Sequence, residues 1–99
     1  MNRMLPIGSI VYLKDGVKKL MILNRGPVIQ NNDREEFFDY SGCIFPLGFN
    51  IDEIFYFNED NIDRIVFEGY SDEEEVRFQE LLNEGFSKID IPKGVVKLN

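Results

Sequence analysis

Asp15-Gly16 sits between two apolar runs, Ile10–Leu13 and Leu20–Leu23, inside the stretch LPIGSIVYLKDGVKKLMILNR (Leu5–Arg25). Asp-Gly between hydrophobic runs is a strong hairpin signal, because the tight turn needs positive φ, which Asp tolerates and Gly adopts freely. Gly16 is therefore expected at positive φ. A two-residue loop sets Lys14 opposite Val17, Tyr12 opposite Lys19, Val11 opposite Leu20 and Ile10 opposite Met21. On that register both faces of the ribbon carry apolar side chains, so the rest of the chain must cover both.

The flanking residues place the other elements. Strands are expected at about Ser9–Lys14 and Lys18–Arg25, the second stopped by Gly26-Pro27 because proline supplies no ladder donor. Gln30–Glu36 is polar and short of β-formers, so residues 31–36 read as a mobile loop. Phe37–Phe45 (FFDYSGCIF) alternates like a third strand, with Phe38, Tyr40, Gly42 and Ile44 on one face. Gly42 marks a bend or a close backbone approach. Ile54–Phe57 and Arg64–Phe67 are further short strands, with Asn58 capping one helical turn between them. A helix is expected over Asp72–Glu84. Ser71 and Glu74 form a capping-box pattern, Asp72–Glu75 suit the positive end of the helix dipole, and Gly85 fits the left-handed closing position. Its stripe of Val76, Phe78, Leu81 and Leu82 should face the core. In the tail, residues 87–99, Pro92 and Gly94 interrupt weak strand character that would pair with a sheet edge or a partner. The expected architecture is α+β in one domain over residues 1–99: a small, mainly antiparallel, curled or barrel-like sheet with one C-terminal helix.

Composition narrows the chemistry. There is no histidine among the 99 residues, which removes the commonest general base and the commonest transition-metal ligand. The single cysteine, Cys43, excludes an intrachain disulfide, suits a reducing cytoplasm and reads as an inert buried thiol. Asn58–Asp63 lacks the spacing of a calcium loop, and no glycine pattern resembles a phosphate-binding loop. The reading is non-enzymatic, with no cofactor, no metal and no catalytic residues. No apolar run is long enough to span a bilayer and the N-terminus lacks a signal-peptide pattern, so a cytoplasmic location without membrane insertion is expected.

Net charge is −7, unevenly spread. Residues 1–29 hold five basic side chains and one acidic, whereas the remainder holds six basic and seventeen acidic. So acidic a body would repel a phosphate backbone, which argues against nucleic acid. Nine Phe and four Tyr are many for so small a fold, and some are expected in an exposed patch of the kind that marks protein interfaces. The candidate partner-binding residues are Lys18 and Lys19 on the basic hairpin with Phe37, Phe55, Tyr56 and Tyr70. A homo-oligomer is compatible with this reading.

Read together, LPIGSIVYLKDGVKKLMI (Leu5–Ile22), FFDYSGCIFPLGF (Phe37–Phe49) and FNEDNIDRIVFEGYSDEEE (Phe57–Glu75) resemble a small family of domains of unknown function in Gram-positive bacteria. The resemblance runs from about Leu5 to Leu82. Members are often encoded beside type VII (ESX-type) secretion genes and LXG-type toxins. The resemblance implies an accessory, adaptor or chaperone-like protein for a type VII substrate or toxin. The alternative is an immunity-type protein whose acidic surface masks a toxin. No catalytic residues come with the family.

Overall fold

The computed structural model describes residues 3–96. Seven strands and one helix follow in order: β1 (Ile10–Leu13), β2 (Leu20–Arg25), β3 (Val28–Asn31), β4 (Arg34–Phe37), β5 (Tyr40–Ile44), β6 (Phe55–Phe57), β7 (Ile62–Phe67) and α1 (Glu73–Lys88). Five strands form an antiparallel sheet in the order β6-β5-β2-β1-β7, and β3-β4 form a separate two-stranded ribbon. The fold is α+β, as expected.

Curling follows from one short connection. β6 and β7 are the two edges of the sheet, and the edges of a flat five-stranded sheet stand about 19 Å apart. Only Asn58–Asn61 joins them, most of it a single 3-10 turn, Glu59–Asn61. Such a turn rises about 2 Å per residue and cannot span a flat sheet, so the sheet must bend its edges toward each other. It does not close, because β6 and β7 do not pair. Met4, Leu5, Val11, Leu20, Ile22, Tyr40, Ile44 and Phe57 make the core.

The first hairpin keeps the expected register, Ile10↔Met21 and Val11↔Leu20. Its tip differs. Gly16 N donates to Leu13 O at 2.9 Å, and the residue at positive φ is Asp15, at 62°. Gly16 is not left-handed, and the chain loops out through Val17 before pairing resumes at Leu20. Gly42 does meet a close backbone: a Cβ there would stand 2.9 Å from Met21 O and 3.2 Å from the Phe57 ring.

Residues 31–36, expected as a mobile loop, hold the turn and most of the second strand of the β3–β4 ribbon. Asn31 pairs with Arg34 around a two-residue turn with Asn32 at φ 58°. Backbone pairing outweighs the weak strand preference of these polar residues. The strand expected over Phe37–Phe45 is split, since Phe37 ends β4 and β5 begins at Tyr40. Asn58 is the residue before the 3-10 turn, as expected, but its side chain ties distant segments instead. Its Oδ1 accepts from Asp39 N at 3.0 Å and its Nδ2 donates to Gly94 O at 2.9 Å. Buried Asp39 also takes Lys93 Nζ at 3.1 Å. The tail thereby lies beside β4, with Phe37 N donating to Pro92 O and Gly94 N to Phe37 O. Residues 97–99 of the expected tail lie outside the described residues.

The helix is longer than expected and starts one residue later. Asp72 caps it, its carboxylate accepting from Glu75 N at 2.9 Å, and Gly85 lies inside it. Asp72→Ala is expected to cost about 1 kcal/mol and Ser71→Ala little, because only the first removes a bond to a free helix N–H. Urea denaturation of the two variants checks the assignment. No helical residue is fully buried. Leu82 and Phe86 pack on the core, and Phe86 stacks on Phe37 at 5.5 Å, whereas Val76, Phe78 and Leu81 stay about half exposed. Polar contacts complete the docking. Arg25 grips Glu75 through two bonds of 2.6 and 2.8 Å, and Gln79 exchanges bonds with Met4 N and Met4 O.

Candidate functional site

Leu20↔Ile44 pairing puts the start of β2 beside the end of β5, so the β1–β2 tip and the long β5–β6 connection share one end of the sheet. Phe45 N donates to Lys19 O at 2.9 Å and ties the two together. The connection folds on itself: Gly48 N donates to Ile44 O, Glu53 N to Asn50 O, and Asp52 N to Asn50 Oδ1. Those local bonds use backbone groups and leave the apolar side chains outward. Leu47, Phe49 and Ile51 are 78, 66 and 76% exposed, and Val17 on the tip is 87% exposed. A groove of about 320 Å³ runs between Val17, Lys18, Leu13, Leu20 and Phe55. Exposed Asp15 and Lys18 line its rim, and the Lys19 ammonium lies 5.1 Å from the Phe45 ring centre. The result is an apolar end with a mixed-charge edge, where Lys14, Lys18 and Lys19 stand with exposed Asp15, Asp52 and Glu53. Apolar patches rimmed by charge suit protein contact, since burial of the patch drives association and the rim steers it.

The six residues singled out from sequence do not form one site. Lys18, Lys19 and Phe55 fall at this end. Phe37 is buried under Phe86, and Tyr56 is half-buried beside Phe38, ring centres 5.8 Å apart. Tyr70 is exposed elsewhere, in a hollow with Ile7, Asp72, Glu74 and Phe78. Sequence reasoning missed Val17, Leu47, Phe49 and Ile51. The available signal was the run Leu47-Gly48-Phe49-Asn50-Ile51, apolar residues set among turn-formers where no strand or helix period could bury them.

A larger cleft, about 820 Å³, lies along the first half of β7 and is lined by Arg3, Leu5, Tyr40, Glu59, Ile62, Asp63, Arg64 and Ile65. Its two arginines are engaged, Arg3 pairing with Glu68 and Arg64 lying 4.8 Å over the Tyr12 ring, while the Glu59 and Asp63 carboxylates also line it. Burial pushes the Tyr40 phenol above its ordinary pKa, and its hydroxyl oxygen accepts from Leu5 N at 2.9 Å. The phenol oxygen is thereby tied to the Leu5 backbone at the wall of the cleft. No helix of the described residues is long and apolar enough to cross a membrane.

No curated protein and no solved structure matches the chain at a significant level. The curled sheet, the apolar hairpin end and the start of the docked helix all lie within residues 4–78. That span is matched by the model of a domain of unknown function (DUF4176), and the chain belongs to this family.

Proposed function

We propose that the chain is a non-enzymatic, cytoplasmic protein-binding module, an accessory or chaperone-like adaptor for a type VII secretion substrate. The observation that carries the reading is the outward set of Val17, Leu47, Phe49 and Ile51 at one end of the sheet. Exposing so many large apolar side chains together disfavours the free protein in water, and a protein partner that covers them removes that cost. The resemblance to proteins encoded beside type VII genes supplies the partner class. An immunity-type mask is the second reading, favoured by exposed Asp60, Asp63, Asp72, Glu73 and Glu74.

Binding kinetics against the product of a neighbouring toxin gene, at low and high salt, test both. For the adaptor, Lys18→Ala with Lys19→Ala slows association and flattens its salt dependence. Leu47→Ser with Phe49→Ser speeds dissociation by about tenfold or more. For the mask, neutralising Glu73 and Glu74 speeds dissociation sharply while the hairpin-end changes do little. No complex with any neighbouring type VII product would overturn both readings.

A further inference from the structure

Along α1, Glu74, Phe78, Leu81, Gly85 and Lys88 recur at alternating spacings of four and three, the spacing of a helix–helix seam. It lies beside the face that docks on the sheet, which carries Glu75, Gln79, Leu82 and Phe86, and Phe78 touches both, its ring 5.2 Å from the Arg25 guanidinium. Phe78 and Leu81 are 45 and 48% exposed and line an almost wholly apolar groove of about 310 Å³ with Gly85, Ile89 and the outer edges of Leu82 and Phe86. Gly85 is unexplained within the chain. It weakens the helix relative to alanine, yet a Cβ there would meet nothing within 4 Å. It leaves a notch in an exposed apolar seam.

We infer that this seam is covered by the same seam of a second copy of the chain, running antiparallel. The pattern is its own complement under reversal. Glu74 and Lys88 each lie seven residues from Leu81, on opposite sides. A two-fold axis beside Leu81 sets each Glu74 against the other copy's Lys88 and each Arg77 beside the other copy's Glu84. Phe78 and the other copy's Gly85 then differ by only about 1.5 Å along the axis, so the ring enters the notch. Antiparallel packing also opposes the two helix dipoles favourably. A parallel pair would set Glu74 on Glu74 and Lys88 on Lys88. The internal Arg77–Glu80 and Lys88–Glu84 pairs, at 3.1 and 3.2 Å, are exposed and weakly held, so the same side chains are free to turn across the interface. This surface is distinct from the hairpin end, and self-association through it does not depend on the adaptor reading.

Sedimentation velocity of the full chain over a dilution series through the micromolar range tests the inference. The expected result is a monomer–dimer equilibrium. Leu81→Arg should raise the dissociation constant by about tenfold or more. Gly85→Gln should fill the notch and weaken the dimer while leaving the thermal midpoint of the dilute monomer unchanged or higher, which separates loss of contact from loss of fold. Glu74→Lys and Lys88→Glu should each weaken the dimer, and together they should restore it. A wild-type chain that stays monomeric throughout, or a dimer indifferent to Leu81→Arg and Gly85→Gln, overturns the inference. A charge swap that fails to restore association overturns the antiparallel register.

Discussion

Glu75→Ala is expected to lower folding stability by about 3–5 kcal/mol, the range for breaking a buried pair from one side. The side chain of Arg25 is only 2% exposed, and both of its terminal nitrogens bond to the Glu75 carboxylate. Without that carboxylate, Leu5 O at 3.1 Å and the Phe78 ring at 5.2 Å are its remaining partners, and neither carries a full charge. The effect should depend on pH in a defined direction. The Arg25 hydrogen bonds hold the Glu75 carboxyl below its ordinary pKa against the opposing effect of partial burial, and Gln79 adds to the lowering. A carboxyl with a lowered folded-state pKa contributes its full stability above the unfolded value, about 4.3, and loses it as pH falls through the folded value. Urea denaturation of the native protein and the variant should therefore show a gap at neutral pH that narrows in acid. A gap that stays constant from about pH 7 to pH 3 would show that the carboxylate charge is not what holds the helix.

Phe57→Ala is expected to cost about 3–5 kcal/mol as well, through a cavity that the sheet cannot collapse to fill. Phe57 is fully buried on β6, paired with Tyr40 and with its ring centre 5.6 Å from the Tyr40 ring. The space it occupies exists because Gly42 has no side chain. Phe78→Ala is the contrast. The amphipathic pattern places Phe78 in the core, but about half of it stays exposed, so its loss should cost about 1 kcal/mol in the dilute monomer. Thermal and chemical melts of both variants decide the ranking. Equal losses would mean that Phe78 is as buried as Phe57.

The parts of the fold that were legible in the sequence are those governed by near neighbours. Asp15-Gly16 between apolar runs specified a hairpin and its register, and four acidic residues before an apolar stripe specified a helix. Positive φ fell on Asp15 rather than Gly16 because the closing bond spans Leu13 to Gly16 and leaves Asp15 in the left-handed position. The helix passed Gly85 because Leu82 and Phe86 dock on either side of it, and that burial outweighs a glycine in the helix interior. The β3–β4 ribbon was hidden because beyond Val28, Ile29 and Phe37 its pairing rests on backbone bonds between polar residues, with no alternating apolar face to reveal it.

The hairpin end was only half legible. Lys18, Lys19 and Phe55 could be named from charge and aromatic content; Leu47, Phe49 and Ile51 were signalled only by their place among turn-formers, and Val17 not at all, since exposure depends on what packs nearby. The amino-acid sequence by itself determined an α+β fold, the first hairpin, the helix and the absence of histidine chemistry, because each follows from composition or from contacts a few residues apart. A curled or barrel-like sheet was expected too, but the tertiary structure alone decided that it stays open, with β6 and β7 unpaired although a four-residue connection joins them. It alone decided which aromatics are buried, which side of the helix meets the sheet, and that Asp39, Asn58 and Lys93 tie the tail to β4. Those outcomes depend on residues tens of positions apart, whose proximity is set only when the strands have paired.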